Sequence, residues 1–299
     1  MDYRANGKKI QRSFAVEDFT IDLPNSDTSE TIYGKLLIPE TASPARPVPA
    51  IIFAHFYNGT YRDTYTWAAP FAQEGYLSVI FDFRGGGRSS QSSGTSTSMS
   101  VLTEKDDLLA VIDAVSKLDM VNSSMLFLCG ESQGGLVAAL TAAHIPEKIR
   151  GLMLLYPAFV IPDKTRARFK SPADFPEVDM RMGLEVGRKY YEDVWDMDAY
   201  TEAQSYPGPV TIYHGTGDTI VEIDSAQRAA DSFPNAQFHA IKGAGHSFHG
   251  ILHEQISGEL IDFVAVACGE KTRAQRNQNK KTGKLWAGFG RGNLRKLWE

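Results

Sequence analysis

Gly130-Glu131-Ser132-Gln133-Gly134 joins one apolar run, Met125–Cys129, to a second, Gly135–Leu140. The first run reads as a buried strand and the second as a helix. A strand that turns sharply into a helix at G-x-S-x-G is the nucleophile elbow, which strains the serine backbone and lifts its hydroxyl clear of the sheet. The two outer glycines are expected because side chains there would collide as strand and helix pack together.

A serine hydroxyl is a poor nucleophile at neutral pH. It needs a base within hydrogen-bond reach, and the base needs an orienting carboxylate. The order Ser, Asp/Glu, His expected after an elbow of this kind is present. The strand-like run Pro209–His214 leads through Gly215-Thr216-Gly217 to Asp218. The run Ala236–Ile241 leads through Lys242-Gly243-Ala244-Gly245 to His246. Ser132, Asp218 and His246 each follow a predicted strand directly, at the edge where open α/β sheets build their sites. Asp224 competes for the acid role from inside a predicted helix, Glu222–Phe233. His249 and His253 compete for the base role. His214, inside a strand, reads as a packed histidine, and His144 ends the helix after the elbow, where a cation complements the dipole.

Strands are predicted at Asp18–Leu23, Thr31–Ile38, Ala50–His55, Leu77–Asp82, Met125–Gly130, Gly151–Tyr156, Val210–His214 and Ala236–Ile241. A helix is predicted at Thr103–Leu118, with Asp106 and Asp107 in its first turn. Strands alternating with helices imply a mostly parallel sheet. The first two strands have no helix between them and read as an antiparallel edge pair. From Tyr156 to Pro207 the rhythm breaks. Long excursions of that kind are usually functional lids or inserts. This one carries Pro157, Pro162, Pro172 and Pro176, then a helical stretch around Gly183–Asp193. The expected organisation is a core of residues 1–156 and 207–268, a small inserted cap over Ser132 at 157–206, and a basic tail at 269–299. Most of the cap aromatics, Phe159, Phe169, Phe175, Tyr190, Tyr191 and Trp195, read as the cap's own small core.

These residues resemble the α/β-hydrolase family across nearly all of 19–267. Pro49–His55 is similar to the family's third strand, and Phe56-Tyr57-Asn58-Gly59 to the oxyanion loop after it. Phe81-Asp82-Phe83-Arg84-Gly85-Gly86-Gly87-Arg88-Ser89 resembles the D-x-R-G-x-G-x-S loop after the fourth strand. The resemblance implies an eight-stranded sheet with helices on both faces and an oxyanion hole from the backbone N–H groups of Gln133 and Tyr57, with Asn58 the alternative to Tyr57. Phe56 stands where the family has glycine, which would be costly if that position needed a positive φ. Within the family, Tyr156-Pro157-Ala158 leading to Ile161-Pro162-Asp163, then Gly187-Arg188-Lys189-Tyr190, and then His214–Val221 are most similar to bacterial cinnamoyl/feruloyl esterases. That similarity implies Asp163 and Tyr190 as contacts for a phenolic hydroxyl, with Tyr191 a rival for Tyr190.

Composition bounds the rest. Of 299 residues, 42% are hydrophobic and 22% charged, with net charge −5, which is ordinary globular usage. The Gly-rich loop lacks a following Gly-Lys-Ser/Thr and the G-x-G-x-x-G spacing, which argues against a nucleotide site. The two cysteines, Cys129 and Cys268, imply neither a disulfide nor a metal site, and no cofactor is expected. Residues 1–30 have no apolar h-region and no run nears the roughly 18 residues of a membrane span, so the expected location is cytoplasmic. Residues 270–299 hold nine Lys/Arg against two Glu. Arg273–Lys284 should be disordered. The tail leaves binding to an anionic surface open, no nucleic-acid partner is expected, and a homodimer is left open. The expected function is hydrolysis of a small-molecule carboxylic ester, of the aromatic cinnamoyl/feruloyl kind. The alternatives are a general short-chain carboxylesterase or peptidase-like hydrolase, and a non-catalytic binder.

Overall fold

A computed structural model describes residues 13–23 and 30–276. Its centre is the strand that carries the elbow. Strand β5 (Val121–Glu131) lies between β3 (Val48–Ala54) and β6 (Ile149–Leu155), parallel to both. Its residues from Leu126 to Glu131 are buried, which explains an apolar run with no alternation: both faces of this strand are covered. Burying a side chain such as Phe127 contributes about 1.5–3 kcal/mol.

Among the described residues the sheet has eight strands in the order β1, β2, β4, β3, β5, β6, β9, β10. Strands β1 (Phe14–Leu23) and β2 (Glu30–Pro39) form the expected antiparallel pair, and β2 also runs antiparallel to β4 (Leu77–Phe81). The remaining pairs are parallel, ending with β9 (Val210–Gly215) beside β10 (Ala236–Ile241). Helices α2 (Val101–Ser116), α3 (Gln133–His144) and α7 (Ile223–Ser232) cover one face. Helices α1 (Tyr61–Glu74) and α8 (Gly250–Ala267) cover the other. Every residue of α3 from Gln133 to Ala142 is buried, as its uniformly apolar sequence requires. Helix α2 begins two residues before the predicted start, at the Ser100 cap. Asp107 therefore falls in its second turn and is fully buried.

Between β6 and β9 lie α4 (Ile161–Arg168), a two-stranded hairpin of β7 (Val178–Arg181) and β8 (Leu184–Gly187), α5 (Lys189–Trp195) and α6 (Ala199–Ala203). The predicted helix around Gly183–Asp193 is corrected: residues 184–187 are a strand, and the helix starts only at Lys189. Gly183, at φ 84° in the hairpin turn, ends the helical reading there. Phe175, Leu184, Val186, Tyr190 and Tyr191 form a separate apolar cluster with Met99, against which Phe169 and Trp195 pack. Phe159 instead joins the main core.

The expected disorder from Arg273 is corrected for the residues next to the core. Glu270 accepts a hydrogen bond from Tyr76 at 3.1 Å. Arg273 pairs with Asp262 of α8 and Arg276 with Glu74 of α1. The carboxylates come from the body of α8 and the last residue of α1. The rest of the tail, 277–299, lies outside the described residues.

Candidate active site

Ser132 sits at the β5–α3 junction with φ 51° and ψ −117°. This is a conformation that L-residues rarely adopt, and it is held by the surroundings. The Ser132 N–H donates to the Leu155 carbonyl, and its own carbonyl accepts from Gly135, Leu136 and Ala158. The two glycines of the elbow are needed for close approach. A Cβ on Gly130 would lie 2.3 Å from the Gly134 carbonyl oxygen, and one on Gly134 would lie 2.4 Å from the oxygens of Ala54 and His55.

The structure brings Ser132, His246 and Asp218 into one hydrogen-bonded line. Ser132 Oγ is 2.8 Å from His246 Nε2, and His246 Nδ1 is 2.7 Å from Asp218 Oδ2. The Asp218 side chain is fully buried, and its Oδ1 accepts the N–H groups of Ile220 and Val221. An acceptor-only carboxylate at Nδ1 makes that nitrogen the donor and leaves Nε2 free to accept the Ser132 proton. The rivals stand elsewhere. Asp224 is exposed in the first turn of α7. His249 bonds Ser247, and the His253 ring packs at a tilt against Trp67. His214 is buried, bonds the Val221 carbonyl through Nε2, and is held below its usual pKa by desolvation. It packs against the carboxylate that serves His246.

The loop after β3 is stapled by a second histidine. His55 Nδ1 donates to the Phe56 carbonyl and its Nε2 accepts the Phe83 N–H. Burial lowers its pKa, so it stays neutral and structural. Phe56 does not carry the strain its place in the motif suggested. The positive φ falls two residues later, on Asn58 at 59°, a residue type that tolerates it. The Asn58 N–H is taken by the Gly86 carbonyl. Among the described residues no acceptor takes the N–H of Tyr57 or of Gln133, and both residues line the cavity at Ser132. Arg84 of the same Gly-rich loop is clamped by Asp107, at 2.6 Å from its Nε and 2.8 Å from its N–H.

The cavity holds about 370 Å³ and is walled chiefly by apolar and aromatic side chains, with Ser132 and His246 at its floor. Tyr190 lines it, is 2% exposed, and donates its hydroxyl to Gln133 Oε1 at 2.7 Å. Gln133 Nε2 in turn donates to Glu104 at 2.9 Å. Burial pushes the Glu104 carboxyl up to about 8. Tyr191, the rival, points its hydroxyl to Asp179 and Arg168 instead. The placement of Asp163 is a correction: it does not line this cavity. Helix α4 turns about 100° per residue, so Ile161 and Lys164 face the cavity while Asp163 faces away, pairing with Arg166 and with Arg228 of α7. It lies in a separate polar cleft of about 270 Å³.

Sequence reasoning missed Tyr156 and its partner. Tyr156 has φ 40° at the end of β6, and its ring lies 5.0 Å from that of His246. Its hydroxyl bonds Glu131, which also accepts Trp67 Nε1 at 3.1 Å. Burial raises Glu131 to about 7. The signal was a carboxylate at the second elbow position, where side chains point under the sheet edge. Among the described residues no group of three or more His, Cys, Asp or Glu is assembled to hold a metal ion, and no helix is long and apolar enough to cross a membrane.

The chain has the α/β-hydrolase fold. Residues 45–189 match the family model described as serine aminopeptidase, S33. Among solved structures it is similar to Est1E from Butyrivibrio proteoclasticus with ferulic acid bound, with a TM-score of 0.73 and 24% identity over 81% of this chain and 97% of that one. It is also similar to the α/β hydrolase GrgF from Penicillium sp. sh18 (TM-score 0.66, 18% identity, 84% and 99% covered). A third is a monoacylglycerol lipase from Paleococcus ferrophilus (0.59, 18%, 74% and 97%). At these identities the likeness speaks for the fold.

Proposed function

We propose that this protein is a serine hydrolase of carboxylic esters that works through an acyl-enzyme. The observation that carries the reading is the Ser132–His246–Asp218 line at 2.8 and 2.7 Å, opening into an apolar cavity with two free N–H groups beside it. His246 Nε2 takes the Ser132 proton as Oγ bonds to the ester carbonyl carbon. Asp218 fixes the tautomer and stabilises the imidazolium. The N–H groups of Gln133 and Tyr57 hold the developing oxyanion. The proton on Nε2 passes to the leaving alcohol as the C–O bond breaks. Water then adds to the acyl-enzyme by the same steps, returning the acid and free Ser132. The insert at 157–206 acts as a cap: Arg181, Met182 and Tyr190 close the cavity from above, which excludes water from the reacting atoms.

Aromatic esters are the favoured class. Four aromatic side chains, Phe56, Tyr57, Tyr156 and Tyr190, wall the cavity, and a structure of similar fold has ferulic acid bound. With Asp163 turned away, Tyr190 serves as a wall rather than as half of a phenol clamp. The test is hydrolysis of p-nitrophenyl acetate and methyl ferulate by wild type and Ser132→Ala. Turnover of both, lost in the variant, is expected. Turnover of acetate alone removes the aromatic preference. No Ser132-dependent turnover, with no labelling of Ser132 by an organophosphonate, overturns the hydrolase reading.

A further inference from the structure

We propose that Arg181 is an anion anchor in the Ser132 cavity, so that the ester taken by this protein carries a carboxylate remote from the scissile bond. The inference rests on the esterase reading above and deepens it. Among the described residues three basic side chains line the cavity, Lys164, Arg181 and His246, and no acidic one does. His246 belongs to the reacting group. Lys164 is committed, its ammonium lying 2.7 Å from the Ile220 carbonyl and 3.1 Å from Glu222. Arg181 is different.

The insert carries four arginines. Arg166 pairs with Asp163, Arg168 with Asp179, and Arg188 with Glu192. Among the described residues Arg181 has no carboxylate within ion-pair reach. Asp179, two residues before it on the same strand, is held by both Arg168 and the Tyr191 hydroxyl. The guanidinium instead lies over the rings of Tyr190 and Tyr191, 5.6 and 5.8 Å from their centroids. Neither ring occupies the guanidinium N–H donors as a carboxylate would, and a guanidinium presents those donors as a fork that matches a carboxylate. One edge also serves the Tyr191 hydroxyl.

The anchor is positioned against the reacting atoms. The Arg181 carbonyl accepts the Tyr57 hydroxyl at 3.0 Å, which ties the hairpin that carries the cation to the loop that carries an oxyanion donor. Glu104, behind Tyr190, stays protonated up to about pH 8, so it adds no opposing negative charge at neutral pH. A half-buried cation among aromatic walls binds an anion more strongly than one in water, because the local dielectric is lower. The matching substrates are hemiesters of dicarboxylic acids, or esters whose alcohol bears a carboxylate, within the volume of the cavity.

The experiment compares kcat/KM for mono-(4-nitrophenyl) glutarate and 4-nitrophenyl pentanoate, which differ by a carboxylate in place of a terminal methyl. A charge-assisted hydrogen-bonded pair contributes about 1.5–3 kcal/mol, or roughly 10- to 100-fold. Wild type is expected to prefer the glutarate by about that factor, mostly through KM, with the preference shrinking as salt rises. In Arg181→Met the glutarate-to-pentanoate ratio should fall to about one, and in Arg181→Lys part of it should survive. A ratio that Arg181→Met leaves unmoved overturns the proposal and makes Arg181 a strut on the tyrosines. Calorimetric titration of Ser132→Ala with monomethyl glutarate and with methyl pentanoate reads the anchor without turnover. Glutarate binding that needs Arg181 supports the anchor even if the esterase reading fails, and equal binding of the two ligands overturns it.

Discussion

Replacing Glu104 by glutamine should make the protein more stable at slightly alkaline pH and leave it unchanged in mild acid. Glu104 is 1% exposed and accepts the Gln133 side chain, which holds Tyr190 in the cavity wall. Desolvation dominates its ionisation and raises it from 4.5 to about 8. The Gln133 hydrogen bond opposes that shift, and the Asp107 charge adds to it. Between those two values the folded chain keeps a proton that the unfolded chain has released, so stability falls as pH rises. The contribution is complete below about 4.5 and is lost as pH passes through about 8. Integrated from pH 5 to 7.5, one such group costs the wild type about 3 kcal/mol. Glutamine keeps the shape and an acceptor oxygen but cannot ionise. The melting temperature of Glu104→Gln, measured by calorimetry against wild type, should therefore match at pH 5 and exceed wild type by about 6 °C or more at pH 7.5. Melting curves that stay parallel over that range would refute the claim that Glu104 is protonated in the folded protein.

Other perturbations probe the elbow and the line of three side chains. Asp218→Asn keeps an acceptor for the Ile220 and Val221 N–H groups but offers His246 Nδ1 an amide, so ester hydrolysis should drop about 10⁴-fold in kcat with little change in melting temperature; a loss below tenfold would remove Asp218 from the mechanism. Gly134→Ala forces a Cβ to 2.4 Å from two backbone oxygens of the β3 end and should cost about 1–3 kcal/mol or more, read as a lower melting temperature; an unchanged value would mean the elbow has room that the structure does not contain.

Some of this was legible along the chain because it depends on neighbours in sequence. Gly130–Gly134 between two apolar runs specifies strand, turn and helix through local sterics alone. Asp218 and His246 follow strands whose buried residues and glycine turns are equally local. The antiparallel β1–β2 pair followed from the lack of a helix between them. The insert resisted for the same reason in reverse. Its elements are short, from four to eight residues, and too brief for a period to separate helix from strand or one face from the other. Hence residues 184–187 read as helix, and Asp163 read as a cavity residue when Ile161 and Lys164 hold that face.

The sequence by itself determined that this chain builds an α/β sheet with a strained serine at its centre, because elbow, strand and turn chemistry act over a few residues. Only the tertiary structure decided that Ser132, His246 and Asp218 lie within hydrogen-bond reach across 114 and 28 residues of chain. Only it, too, left Arg181 without a carboxylate among the described residues and turned Asp163 away from the cavity. Those outcomes depend on which surfaces meet when separate elements pack, and no local pattern encodes a distance between residues that come together only through the core.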